Sequence, residues 1–233
     1  DNGGSEGRGT ATGKGAFFVF QAYKDQLGKE PRETRVAVQG FGNAGQSIAS
    51  LFHEAGYKVV AVSDSRGGIH HAEGLDIPAV IAHKDATDSV KDFPGAKNIS
   101  QEELLICECD VLAPSALENQ LTGPIAERVQ AKMVLELANG PTTAEGDAIL
   151  AQRGVIVMPD VLANSGGVTV SYFEWVQNKQ NEHWSEGQVF EKLAEYMANA
   201  SKTVQDTAKR YRITQRQAAF VSAIEKIGEA MKR

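Results

Sequence analysis

The chain has 233 residues, 42% of them hydrophobic, and a formal net charge of −6. That length can bury a substantial core within one large domain. The acidic balance and the lack of a long basic run argue against a nucleic-acid or anionic-membrane partner, and no apolar stretch approaches the length that crosses a bilayer.

The two cysteines, Cys107 and Cys109, are too close together to bridge readily, and no Cys or His cluster completes a metal site around them. They read as packing residues in a reducing, cytoplasmic setting, with no metal expected. The chain opens without Met on a Gly-rich polar segment and shows no secretory pattern. The expectation is a cut through a longer protein.

In chain order, a helix is expected over 16–27, stopped at Gly28. A short apolar strand over 35–39 leads into a glycine turn. A helix over 44–55, stopped at Gly56, and a strongly apolar strand over 58–63 follow. Three more strand-length runs lie at 111–113, 133–137 and 155–158. Most of these runs are continuous rather than alternating, as in parallel strands covered on both faces. Ser100 with Glu103, and Thr142 with Glu145, have the spacing of capping boxes, and Gly154 closes the second of these helices.

After Gly167 the strand signal ends. Val189, Leu193, Met197, Ala200, Val204 and Ala208 recur at helical spacing, and Thr214 with Gln217 caps a last helix reaching 231. The expected architecture is α/β, a Rossmann-type, doubly wound, mostly parallel sheet over 1–180 with a C-terminal helical extension of the same domain over 181–233.

The most informative local pattern is G-F-G-N-A-G, containing Gly40, Gly42 and Gly45. It follows one strand, opens a helix and precedes a second strand, which is the context a dinucleotide fingerprint requires. The three glycines serve a tight turn, close backbone approach to a pyrophosphate, and close helix–strand packing. Phe41, Asn43 and Ala44 complete the turn, and the helix start presents N–H groups to the phosphates. The second strand runs into Asp64, where a carboxylate can accept from the adenosine ribose hydroxyls and repel a 2′-phosphate, favouring NAD. Ser65 follows, and Arg66 beyond it can pair with that phosphate, leaving NADP open. A plain glycine turn with a solvated aspartate is the competing reading.

The segments G-G-S-E-G-R-G-T-A-T-G-K-G, G-F-G-N-A-G, V-S-D-S-R-G-G-I, C-D-V-L-A-P-S-A, A-N-G-P-T-T and L-A-N-S-G-G-V-T-V-S-Y-F-E-W-V-Q-N occur in that order. Together they resemble the coenzyme domain of glutamate dehydrogenases, within the wider glutamate, leucine, phenylalanine and valine dehydrogenase family. The resemblance runs from about Gly3 to the C-terminus. It implies that Arg8 and Thr12 lie near the nicotinamide carboxamide and that Ser115 and Ala116 line the nicotinamide ribose. It also implies that Asn139 and Asn164 hydrogen-bond near that ribose and the ring. Gly167, Val168 and Ser171 would face the substrate, with the Ser171 hydroxyl available to its distal carboxylate; this favours glutamate over an apolar amino acid.

The same resemblance implies oxidative deamination of L-glutamate to 2-oxoglutarate and ammonia, reversibly, by a homohexamer in the intact enzyme. The family's catalytic lysine and acid/base aspartate belong to a substrate-binding domain that precedes the G-G-S segment. No K-G-G segment stands in for it here. No catalytic residue is therefore assigned to this chain, and negligible turnover is expected from it alone.

Simpler roles compete at several positions. Asn139 precedes Gly140-Pro141 and suits a turn; Asn164 and Thr12 suit helix caps; Ser171 suits a bond back to its own helix. Phe173, Trp175 and Val176 suit a core, and the adjacent His70 and His71 a loop. Two other functions stay open: the same domain of a leucine, valine or phenylalanine dehydrogenase, or a stand-alone NAD sensor.

Overall fold

The computed structural model describes residues 4–232. Its frame is a seven-stranded sheet whose five parallel strands are the apolar runs of the sequence. These are β1 (Arg35–Gln39), β2 (Lys58–Asp64), β5 (Val111–Pro114), β6 (Met133–Leu135) and β7 (Ile156–Met158). Their side chains are almost all buried, because helices cover both faces. The order is β4-β3-β2-β1-β5-β6-β7, with β3 (Gly67–His70) antiparallel to β2 and β4 (Lys97–Ile99) antiparallel to β3.

That antiparallel flank is not anticipated by the sequence reading. β3 and β4 are short and polar, so they carry no continuous apolar run. The intervening α3 (Ile77–Thr87) was also unanticipated, although Asp76 caps it by accepting from the Ala79 N–H. On the other side of β1 the chain crosses to β5, so the winding direction reverses between β1 and β5. Ligands of open α/β sheets bind at the carboxyl end of such a reversal.

The first helix, α1 (Ala11–Tyr23), starts earlier than expected and ends in a 3-10 turn (Lys24–Leu27) closed by Gly28 at φ +64°. Gly13 and Gly15 lie within it and serve packing. A Cβ at Gly13 would overlap the Ser47 side chain on α2 (Asn43–Glu54), and one at Gly15 would lie 2.6 Å from the Cα of Gly166. Phe17, Phe20, Phe52 and Tyr57 pack edge to face between α1 and α2.

The box of Ser100 and Glu103 forms at the start of α4 (Gln101–Leu105). The second box does not form where expected. Short α5 (Gly123–Ala126) precedes β6, and α6 (Ala144–Gln152) follows it, capped by Thr143, whose hydroxyl accepts from the Gly146 N–H. Thr142 instead donates to Glu136 at 2.5 Å. Beyond β7 come short α7 (Asp160–Ala163), α8 (Gly166–Gln180), α9 (Glu186–Tyr211) and α10 (Gln215–Ala230). Val189, Leu193, Met197, Val204 and Ala208 from α9 join α1 and β1 residues in one core cluster.

Candidate functional site: a crevice at the sheet reversal

The carboxyl ends of β1, β2 and β5 open onto a crevice of about 530 Å³. Gly40, Phe41, Gly42, Asp64, Ser65, Ser115 and Ala116, all singled out in the sequence, line it together. Its geometry starts from the glycines. Gly40 takes φ +90°, and an added Cβ would sit 2.9 Å from the backbone of Ala116. A Cβ on Gly45, one turn into α2, would overlap the Gly40 carbonyl oxygen. At Gly42 an added Cβ would meet open space, so the backbone there is reachable from outside. No side chain among the described residues caps α2, whose first residue, Asn43, is exposed. An extended diphosphate fits this bare, N–H-rich surface. Phe41 is only 1% exposed, and its side chain belongs to the core.

Asp64 lies at the crevice, where its carboxylate also builds the turn that follows β2. Its side chain is only 6% exposed, and its oxygens accept from the backbone N–H of Arg66 (2.8 Å) and of Val90 (2.7 Å) and from the Ser89 hydroxyl (3.4 Å). The ammonium of Lys84, on α3, lies 3.9 Å from it and donates to the Phe41 carbonyl at 2.7 Å. Arg66 points elsewhere, paired with exposed Asp88.

Five residues that line the crevice, Gln39, Lys84, Gln101, Leu117 and Gln120, are not singled out by the sequence reading. Gln39 at the end of β1 is 2% exposed, and its amide nitrogen donates to the Gln120 Oε1 at 2.7 Å. Its Oε1 has no hydrogen-bond partner among the described residues. A strand-end glutamine carries no spacing signal, and Lys84 lies on a helix the sequence did not reveal.

The second group of predicted residues lies beyond β6 and β7. Asn164, at the C-terminal end of α7, donates from its amide to the Asn139 Oδ1 (2.7 Å) and to the Leu137 carbonyl (3.2 Å). The two asparagines, far apart in sequence, are thus direct partners. Thr12 is inside α1, whose N-cap is Thr10, and its hydroxyl oxygen would be 2.7 Å from a Cβ on Gly167. Arg8 is held by Glu174 of α8 at 2.8 Å. Val168 is 69% exposed on α8, whereas the Ser171 hydroxyl donates to the Gly167 carbonyl at 3.1 Å.

A family model described as Glutamate/Leucine/Phenylalanine/Valine dehydrogenase matches residues 3–233. The chain belongs to that family. Among proteins of known name, it is 46% identical to the NADP-specific glutamate dehydrogenase of Synechocystis over 98% of this chain and 56% of that protein. It is 44% identical to a catabolic NAD-specific glutamate dehydrogenase of Bacillus subtilis, over 99% of this chain and 54% of the relative. Among solved structures, a hetero-hexameric glutamate dehydrogenase of Thermus thermophilus in a leucine-bound form superposes with a TM-score of 0.91 at 37% identity. That match covers 98% of this chain and 54% of that one.

The chain therefore spans about half the length of the relatives it matches. The fold expectation of a Rossmann-type, mostly parallel α/β sheet agrees with these structures. The named relatives are an NADP-specific and an NAD-specific dehydrogenase. No helix among the described residues is long and apolar enough to cross a membrane, and no described group of three or more His, Cys, Asp or Glu side chains is placed to hold a metal ion.

Proposed function

We propose that this chain is the coenzyme-binding part of a glutamate dehydrogenase, seating NAD(H) or NADP(H) in the crevice between β1 and β5. One observation carries the reading: a Cβ on Gly45 would overlap the Gly40 carbonyl oxygen, so the bend that offers α2's first N–H groups to a diphosphate requires glycine. Residues 1–180 form the nucleotide-binding unit in this reading, and 181–233 extend it. The core shared by α9, α1 and β1 supports treating them as one domain.

The adenosine end lies beside Asp64 and Ser65, and the nicotinamide end beside Ser115, Ala116, Asn139 and Asn164. The sequence favoured NAD because Asp64 would repel a 2′-phosphate. With its oxygens engaged by the turn and Lys84 nearby, that repulsion is weakened, and NADP is accepted as well. The nicotinamide supplies hydride acceptance when bound. This chain's residues bind it, orient it, and wall one side of the substrate cleft.

The substrate of the longer protein is L-glutamate, deaminated reversibly to 2-oxoglutarate and ammonia within a hexamer. The names of the relatives support this. The Ser171 hydroxyl, beside exposed Val168, serves the distal carboxylate by turning its proton from the Gly167 carbonyl to that acceptor. None of the crevice-lining residues is a His or Cys, and Lys84 is committed to Phe41 and Asp64. The acid/base work falls to residues outside this chain, which alone turns glutamate over negligibly.

Titration of the purified chain with NADH and NADPH, followed by nicotinamide fluorescence, tests the reading. Saturable binding is expected; a folded chain that binds neither at millimolar concentration refutes it. For the substrate, Ser171→Ala in the longer protein is expected to raise KM for glutamate about tenfold, the loss of one hydrogen bond to a charged group, with Tm unchanged. An unaltered KM would exclude Ser171 from substrate selection.

A further inference from the structure

Arg216 is the second residue of α10, distant in sequence from every predicted site position, yet it is the hub of an ion cluster beneath the loop that carries Asn139. Its Nη2 donates to the Glu136 Oε1 at 2.6 Å, its Nε to the Asp147 Oδ1 at 3.0 Å, and its Nη1 to the Asp160 Oδ1 at 3.3 Å. Glu136 immediately follows β6 and is wholly buried. A carboxylate at that depth needs a cation and hydrogen bonds, or its burial is strongly unfavourable. Arg216 is the cation among the described ion pairs of Glu136. Burial works to lower the Arg216 pKa, but Glu136 and Asp147 outweigh it and hold the group above its ordinary value, so the guanidinium stays charged.

The carboxylates then reach outward. The Glu136 Oε1 also accepts from the Thr142 hydroxyl at 2.5 Å, closing the 136–142 loop on itself. Its Oε2 accepts from the Asp160 N–H at 2.8 Å, fixing the start of α7. Asp160 in turn accepts from the Gly140 N–H at 2.8 Å, next to Asn139. At the far end of α7, Asn164 donates to Asn139 and to the Leu137 carbonyl. The bonds to Thr142, to the Asp160 N–H and to the Gly140 N–H all end on carboxylates that Arg216 neutralises, and the asparagine bonds follow from where they set α7 and the loop.

We propose that Arg216 is a positioning residue for the nicotinamide end of the crevice, acting through Glu136 and Asp160 to hold Asn139 and Asn164 in place. This rests on the coenzyme reading above. It adds that the last helix of the chain sets the geometry of a loop on the far side of the sheet reversal. Arg216 touches no coenzyme itself. Removing it leaves buried Glu136 unpaired, and the 136–142 loop and α7 rearrange to hydrate it. The adenosine end, built from β1, β2 and α2, keeps its own bonds.

The test compares two probes on this chain and its variants: NADH, which spans both ends, and ADP, which lacks both the nicotinamide and its ribose. Arg216→Met is expected to raise the Kd for NADH about tenfold, as loss of one to two hydrogen bonds would, while the Kd for ADP stays within about twofold. Arg216→Lys, which restores a charge opposite Glu136 but not the three-way fork, is expected to fall between. If Arg216→Met does not fold, Thr142→Val opens the same loop without removing the cation, and a smaller split of about threefold is expected. Equal weakening of both probes, or no change in either, overturns the proposal, because a merely structural role would not separate them. If the unaltered chain binds neither probe, the coenzyme reading itself fails and this inference with it. Binding by the unaltered chain without a split in the variants sinks the inference alone.

Discussion

At the turn between β1 and α2 the working surface is backbone, shaped by what the glycines lack, whereas beyond β6 it is side chains, held by a buried charge cluster. The first end spans residues 40–45, with the Ala116 backbone crowding Gly40 and Lys84 donating to the Phe41 carbonyl. The second joins Glu136, Thr142, Asp147, Asp160, Asn164 and Arg216 from a loop and several helices. A backbone site is short and stiff, so it fails sharply when a single atom is added. A side-chain network is extended, so it fails by degrees and can be tuned from far away.

The largest effect is expected at the backbone end. Gly45→Ala forces the new methyl group into the Gly40 carbonyl, and overlap with backbone cannot be relieved by a rotamer change. Loss of measurable NADH binding is expected, together with a stability loss of about 3 kcal/mol, at the upper end of overpacking costs. Calorimetry and titration would report both. Normal binding by a stable variant would erase the contrast between the two ends.

A middle-sized effect is expected where the two kinds of construction meet. Asp64 is a side chain, but it serves the backbone N–H groups of Arg66 and Val90. Asp64→Ala leaves those donors short of an acceptor, at a cost of about 1 to 3 kcal/mol. It also removes a negative charge at the adenosine end, so the NADPH-to-NADH affinity ratio is expected to rise about fivefold, a modest gain because the buried carboxylate is already engaged by N–H groups and lies near Lys84. A ratio that does not move would show the carboxylate to be purely a builder of the turn.

The smallest effect belongs to Arg66. Its partner Asp88 is 85% exposed, and such pairs contribute little. Arg66→Ala is expected to change stability by less than about 0.5 kcal/mol. A selective loss of NADPH affinity in that variant would restore Arg66 to the phosphate role that its present pairing argues against.

Legibility followed the same division. The glycine turn could be read because its requirement is local: three glycines between a buried strand and an amphipathic helix leave few other backbone solutions. The five parallel strands were readable as continuous apolar runs. β3 and β4 were not, because an antiparallel edge of three or four residues that is partly polar has no distinctive pattern. The cap of α6 was misread by one residue, since Thr142 and Thr143 offer the same hydroxyl, and only the position of buried Glu136 decides which of them turns inward.

By itself, then, the amino-acid order determined the parallel α/β frame, the site of its phosphate-sized bend, and the helical character of everything after Gly167, because each depends on neighbours within a few positions. Only the tertiary structure decided that Asp64 is engaged in its own turn, that Lys84 and Gln39 face the crevice, that Asn139 and Asn164 are partners, and that Arg216 sits among three carboxylates. Those outcomes depend on which charges are brought together out of water, and Coulombic and desolvation energies are set by distance in space rather than by separation along the chain.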